Sequence, residues 1–183
     1  IPRSIPYIIP EKSLVDKWRA SMSKKESADM RVGLAWAGKP SHKRDLYRSF
    51  PLSVYAPLAG FKNITFFSLQ KDDAAHDVKS YPEGMSLVEL MGEVNDFSDT
   101  AAIISNLDLV ISADTAVAHL AGALGKPVWT LLPYAPDWRW LLDRSDSPWY
   151  PTMKLFRQSK PMDWADAIQR ICSELSATRK GNC

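Results

Sequence analysis

The sequence predicts an α/β fold built on a doubly wound parallel sheet, and three observations carry that prediction. Short apolar runs recur along the chain at Arg31–Ala37, Ile64–Leu69, Leu107–Ser112 and Val128–Leu132. Each has the length of a strand, and each is too continuously apolar for a sheet with one wet face. Segments of helical period separate the runs, and strands alternating with helices call for parallel pairing. Finally, 183 residues with 45% hydrophobic and 24% charged content are ordinary for one domain with a real core.

Taken in order, Ile1–Pro10 holds three prolines and reads as an extended linker. Glu11–Ser23 is a helix with Leu14, Trp18 and Met22 one turn apart, and Ser23–Asp29 is a polar loop. The strand Arg31–Ala37 opens into a basic loop, Gly38–Ser49, which carries Lys39, Lys43, Arg44 and Arg48. Pro51–Leu58 is a short helix with proline in its first turn and Gly60 past its end. Ile64–Leu69 is the second strand, ending in Gln70 and Lys71, and Met85–Leu90 is a weaker one. Asp96 and Asp99 start a helix through Ala101, Ile104 and Leu107, where negative charge suits the dipole. Beyond Val128–Leu132, Pro133–Pro151 is a long loop containing Trp138, Trp140 and Trp149, most of whose rings are expected to pack it onto the body. Lys154–Phe156 is a last strand and Trp164–Leu175 a last helix, with Cys172 beside Ile168, Ile171 and Leu175 on its apolar side. Cys172 and the terminal Cys183 read as a core thiol and a tail thiol rather than a bridge. The chain divides into a linker and helix, residues 1–29, and the α/β unit, residues 30–183.

The stretch Ser112–Gly125 lies between two buried strands, at a strand end where open α/β sheets bind ligands. Asp114 is expected to cap the helix that follows. Val117, Leu120, Ala121 and Leu124 have the spacing of a buried stripe. His119 lies two residues, about 200° of rotation, from Val117 and four residues from Thr115. Thr115 and His119 therefore share a face turned away from that stripe, toward the cleft. A helix N-terminus offers N–H groups and partial positive charge, a natural anion seat. The basic loop after Ala37 follows another strand end, so both elements aim at one rim, where Lys39, Lys43, Arg44 and Arg48 can neutralise a diphosphate.

Several functional classes lose their support. A net charge of +2 gives no basic excess for nucleic acid. No apolar run reaches the ~20 residues of a membrane span, and no signal segment opens the chain, so a cytoplasmic location is expected. The first residue is Ile1 rather than methionine, which suits a piece of a longer protein. Gly33–Lys39 matches most of a phosphate loop, but the next position is Pro40, with neither a hydroxyl nor an N–H to offer. Residues 34–37 also read as strand, where that loop needs a turn. There is no G-x-G-x-x-G for a dinucleotide. Neither an Asp-x-Asp triplet nor a His/Cys cluster of metal spacing occurs, so no metal and no cofactor are expected. A transferase of phosphate-linked groups would then stabilise its leaving group with cationic side chains and a helix N-terminus.

The stretches RVGLAWAGKPSHKRDLYRSFPL, FFSLQK, DFSDTAAIISNLDLVISADTAVAHLAGALGKPVW and LLPYAPDWRWLLDRSDSPWYPTMKLFRQ resemble the C-terminal half of bacterial heptosyltransferase-like glycosyltransferases (glycosyltransferase family 9). Members fused behind tetratricopeptide repeats are the most similar. The resemblance covers nearly the whole chain and implies the C-terminal, Rossmann-like half of a GT-B glycosyltransferase, which holds the nucleotide-diphosphate-sugar donor. By position it implies donor-binding roles for Asp114, Thr115, Ala116 and His119, for Gly38, Lys39, Arg48 and Ser49 on the phosphate side, and for Gln70 and Lys71 near the nucleoside. The family usually has glycine where Ala116 stands. It also implies a metal-independent, inverting transferase of hexosyl or heptosyl groups whose catalytic base belongs to an N-terminal domain. The partners implied are the sugar donor, that domain and the repeats, and the chain alone is expected to be inactive. Two other readings stay open: an epimerase or hydrolase of nucleotide sugars on the same plan, and a non-catalytic interaction module with Trp138 and Trp149 as its docking patch.

Overall fold

The register of six parallel strands decides where a ligand can sit. The computed structural model describes residues 4–24 and 30–180. The strands are β1 (Met30–Ala35), β2 (Ile64–Ser68), β3 (Leu87–Glu89), β4 (Leu109–Ala113), β5 (Val128–Leu132) and β6 (Met153–Arg157), in the order β3-β2-β1-β4-β5-β6. Every ladder is parallel. This is the doubly wound, Rossmann-like order: the chain starts at the centre, winds outward to β3, then returns and winds the other way. The carboxyl ends of β1 and β4 flank the topological switch point, where neighbouring loops leave in opposite directions and open a crevice.

The helices are α1 (Lys12–Ser23), a single turn α2 (Asp45–Arg48), α3 (Phe97–Ser105), α4 (Ala116–Ala123) and α5 (Ala165–Lys180). Trp18 and Met22 of α1, Ile103 and Ile104 of α3 and Ala118 and Ala121 of α4 share one core with Phe67, Val110 and Val128 of the sheet. On the opposite face, Ile168, Ile171 and Leu175 of α5 join Leu52, Tyr55 and Leu58 over Val32, Leu34, Phe66, Leu109 and Ile111. Successive strand residues thus enter different cores, which is why the apolar runs are unbroken. Gly33 lies within β1, where a side chain would stand 2.6 Å from both Leu69 and Leu107. The glycine of the near phosphate-loop match therefore admits two leucines and cradles nothing.

The expected elements are present with shifted bounds. Leu107 belongs to the turn before β4, and β6 extends one residue beyond Lys154–Phe156 at each end. The helix expected at Pro51–Leu58 is a 3-10 helix, Leu52–Gly60, with Pro57 inside it; proline lacks the N–H that an α-helical bond would need there. α1 docks on α3: Trp18 Nε1 donates to Asp99 Oδ1 at 2.8 Å, and Arg19 Nε to Asn106 Oδ1 at 3.1 Å. Ser4–Pro10 has no regular secondary structure and a cis Ile5–Pro6 bond, and it meets the end of α4, with the Tyr7 amide donating to the Ala123 carbonyl at 3.0 Å. Cys172 is half-buried against the α5 core. The first residues of the linker, the polar run at 25–29 and Cys183 lie outside the described residues. Among those described, no helix is long and apolar enough to cross a membrane.

Candidate functional site

A cleft of about 420 Å³ opens at the switch point. Four segments line it: Ala37, Gly38, Lys39 and Arg48 after β1; Gln70, Lys71 and Asp72 after β2; Asn95, Asp96, Phe97 and Thr100 at the start of α3; and Thr115, Ala116 and Val117 at the start of α4. The sheet order brings these stretches together, because β1 lies between β2 and β4.

Two helix N-termini meet the cleft, and they differ. Asp96, expected at the acidic start of α3, also caps it, accepting from the amides of Ser98 and Asp99 at 2.7 and 3.1 Å, so its own carboxylate already occupies that dipole end. α4 begins at Ala116 with Thr115 as its N-cap residue, and no side chain caps it. Asp114 stands one residue too early, which corrects the expectation that it caps. Its carboxylate is buried and lies 3.9 Å from His119 Nε2, while its carbonyl accepts from Arg48 Nη1 at 2.9 Å. The Thr115 hydroxyl lies 3.2 Å from Ser112 Oγ, which donates to the Ala113 carbonyl. The N-terminus of α4 is therefore the one suited to an incoming anion.

The cations take distinct places. Lys39 is exposed on the rim. Arg48 is held on two sides, by Asp45 Oδ1 at 3.2 Å and by the Asp114 carbonyl, so it ties the loop after β1 to the turn before α4. Gly38 makes room for it: a Cβ there would stand 2.4 Å from Arg48 Nη2 and 2.6 Å from Asp45 Oδ1. Ser49 lies behind the cleft wall, accepting from the Gly38 amide at 2.9 Å. Lys71 reaches the Val94 carbonyl at 2.7 Å. Gln70 braces the end of β1: its Oε1 accepts from the Trp36 and Ala37 amides, and its Nε2 donates to the Ala37 and Lys71 carbonyls. Its amide thus stiffens the floor of the cleft. Lys43 does not line the cleft, and Arg44 turns away to the Ala135 carbonyl at 2.7 Å beside a separate apolar cavity.

His119 is the clearest departure. It does not share the cleft with Thr115; it lines a second cavity of about 260 Å³ with Trp138, Arg139, Trp149 and Tyr150. Its ring stacks on Trp140, with centroids 5.2 Å apart and planes at 22°, and its Nδ1 lies 3.1 Å from Tyr150 Oη. The aromatic loop after β5 folds back over the middle of α4 and covers the histidine, leaving Thr115 to the cleft one turn earlier. Burial lowers the His119 pKa from the ordinary 6.5, against the opposing pull of Asp114, which favours the neutral ring. Trp140 is fully buried and Trp149 partly so, whereas Trp138 is 72% exposed. The stripe on α4 is also displaced: Ala118, Ala121, Gly122 and Ala123 are buried, and Val117, Leu120 and Leu124 only partly. Small residues let the helix approach its neighbours closely, so the larger aliphatics flank the contact.

Sequence reasoning missed Asn95, Phe97 and Thr100 as wall residues, and Tyr150 and Trp140 as partners of His119. The acidic start at Asp96–Asp99 locates the first group once the strand order is known. For the second group the sequence holds no local signal, because the contacts cross more than twenty residues. Among the described residues no group of three or more His, Cys, Asp or Glu side chains converges as a metal site.

The chain is 26% identical to protein FlbA of Caulobacter vibrioides over 184 residues, which span 95% of this chain and 29% of FlbA. It superposes on Escherichia coli ADP-heptose lipopolysaccharide heptosyltransferase II with a TM-score of 0.62 at 16% identity, over 97% of this chain and 55% of that one. With E. coli heptosyltransferase WaaC, solved with ADP-2-deoxy-2-fluoro heptose, the TM-score is 0.58 at 18% identity, over 93% of this chain and 50% of that one. These structural likenesses establish the shared fold, and this chain spans about half of each of those enzymes. Residues 53–163, more than half of this sequence, match glycosyltransferase family 9 (heptosyltransferase), and the chain belongs to that family.

Proposed function

We propose that this chain is the donor-binding half of a metal-independent, inverting glycosyltransferase and that its cleft seats the diphosphate of a nucleotide sugar. The observation that carries the reading is the convergence on one cleft of the uncapped N-terminus of α4 with Lys39, Arg48 and Lys71. Both halves of that arrangement favour negative charge. A helix N-terminus contributes about 0.3–1 kcal/mol toward an anion, and each charge-assisted hydrogen bond about 1.5–3 kcal/mol. As the glycosidic bond breaks, charge accumulates on the departing diphosphate, so the same groups bind the leaving group more tightly in the transition state. The E. coli relatives are solved with ADP or an ADP sugar, or named for one, which supports an adenine nucleotide as the first donor to try. The acceptor hydroxyl would be activated by a base outside this chain.

Titration calorimetry with ADP, UDP, GDP and CDP, with and without EDTA, tests the reading. At least one diphosphate is expected to bind equally well in EDTA, and Lys39→Ala and Lys71→Ala each to weaken it by about tenfold, the equivalent of one charge-assisted contact. Heat changes indistinguishable from buffer for all four nucleotides would sink the proposal.

A further inference from the structure

A third cavity, of about 210 Å³, lies where the chain leaves β5 and β6, closed by Arg44 and Tyr47 from the loop after β1. It is at the carboxyl edge of the sheet, where open α/β folds take their ligands, and it shares no lining residue with the cleft at the switch point. Pro133, Pro161 and Met162 give it an apolar wall, and the exposed rings of Tyr47 and Tyr134 stand at its sides.

Gln158 is the buried polar group of that wall, only 4% exposed. Its Oε1 accepts from the Tyr134 amide at 3.0 Å and from the Met162 amide at 3.2 Å. A backbone N–H only donates, so these two bonds fix which end of the side-chain amide faces the backbone. The other end, Nε2, is buried and has no hydrogen-bond partner among the described residues. An unpaired buried donor is costly, and native structures keep few of them. Met162 adds a second departure: it is exposed, with φ at +62°, in the left-handed region that favours glycine. Its amide is one of the two that Gln158 holds, and backbone strain of this kind gathers at ligand sites. Across the cavity, the Arg44 guanidinium has five N–H donors, and one of them reaches the Ala135 carbonyl at 2.7 Å.

Donors set among aromatic and apolar walls suit a body with C–H faces and oxygens at its edge, which describes a sugar ring. We propose that this cavity is a carbohydrate subsite, which takes one ring of the saccharide acceptor with Gln158 Nε2 and Arg44 donating to its oxygens. The acceptor role rests on the donor-site reading above, whereas the affinity for a sugar ring does not. Arg44 stands four residues before Arg48 of the cleft, so a single loop serves both places.

Side-chain amide 1H–15N spectra of the 15N-labelled chain, titrated with the methyl glycosides of glucose, galactose, mannose and glucuronic acid, test it. The pair of signals lost in Gln158→Glu identifies the Gln158 amide. At least one glycoside is expected to move that pair saturably, with Kd about millimolar, ordinary for a single ring. Gln158→Glu keeps an oxygen for the two backbone amides and removes the donor, so it is expected to keep its circular dichroism and to lose binding, read by saturation transfer to the glycoside. Arg44→Ala, at an exposed position, is expected to fold and to weaken binding about fivefold, the worth of one ordinary hydrogen bond. Trp138→Ala, outside the cavity, should change nothing. No saturable shift with any of these glycosides, or binding that survives Gln158→Glu or vanishes in Trp138→Ala, overturns the proposal. The glycoside should bind equally with and without saturating ADP; displacement by ADP would refute the acceptor role. Should ADP bind while no glycoside does, the proposal falls and the donor reading stands. Glycoside binding by a chain that binds no nucleotide would keep the carbohydrate subsite and refute its acceptor role.

Discussion

At the scale of single residues, Ala116 and His119 give the site its individuality. Ala116 is the first residue of α4, exposed and on the cleft wall, with its methyl beside the amide groups that an anion would approach. Ala116→Gly is expected to raise nucleotide diphosphate affinity several-fold in calorimetry, because the approach to those amides widens. The helix loses at most about 1 kcal/mol from the added backbone freedom. An unchanged or weaker affinity would show that the methyl does not limit the approach. For His119 the consequence concerns stability. Burial depresses its folded pKa below 6.5, while Arg139 lowers it further and Asp114 and Asp137 oppose. Above pH 6.5 both folded and unfolded states are neutral and nothing is lost. As pH falls through 6.5 toward the depressed folded value, the unfolded chain takes up the proton first and stability declines. His119→Gln should therefore show a smaller drop in denaturation midpoint between pH 7.5 and 5.5 than the wild type; an equal drop would mean that other groups carry it.

At the scale of elements, the small residues on α4 set how the aromatic loop docks. Gly122→Ala gains about 1 kcal/mol of helix propensity, yet its methyl would meet the Tyr150 ring at under 3 Å. Overpacking of that kind costs about 1–3 kcal/mol, so the variant should be destabilised on balance, with Tm lower by a few degrees. Tyr150→Ala should remove most of the penalty, so a double-mutant cycle by chemical denaturation should give strong coupling. Additive effects would place the ring elsewhere. The same contact shows why the sequence told only part of the story. Continuous apolar runs disclose β1, β2, β4 and β5, and Asp96 discloses the start of α3, because each signal lies within a few residues. The spacing of Thr115 and His119 predicts one shared face, yet Thr115 is the extended N-cap of α4 and lines the cleft while His119 lines the second cavity. What divides them between two cavities is Tyr150, thirty-one residues beyond His119, and no periodicity registers a contact at that distance. The wheel of α4 misleads for a related reason: it ranks positions by size, whereas close approach favours Ala118, Ala121 and Gly122. Gln70 shows the limit of position alone, for the side chain at the place expected to meet the nucleoside lines the cleft and also makes four hydrogen bonds to backbone, which no sequence position announces.

For the whole molecule, the sheet supplies one wall of a cleft and the chemistry of a leaving group, and the carboxylates on that wall are poorly placed to supply a base. Asp96 is occupied in capping α3. Asp72 sits on the exposed rim with φ at +62° and ψ at −157°, a backbone region that strains any residue but glycine. A general base must come within about 2.6–3.2 Å of the acceptor hydroxyl, in a site from which water is excluded. The basic groups that line this cleft are Lys39, Arg48 and Lys71, and the carboxylates that line it are Asp72 and Asp96. The isolated chain is therefore expected to bind a nucleotide diphosphate while releasing none from the corresponding sugar donor, whether or not a saccharide acceptor is supplied. Coupled detection of free ADP from ADP-heptose, with heptosyltransferase II as the positive control, provides the measurement. Turnover approaching that of the control would show that the base lies in this chain. Asp72→Asn would then be the variant to make first, since the Asp72 carboxylate lines the cleft and makes no capping hydrogen bond.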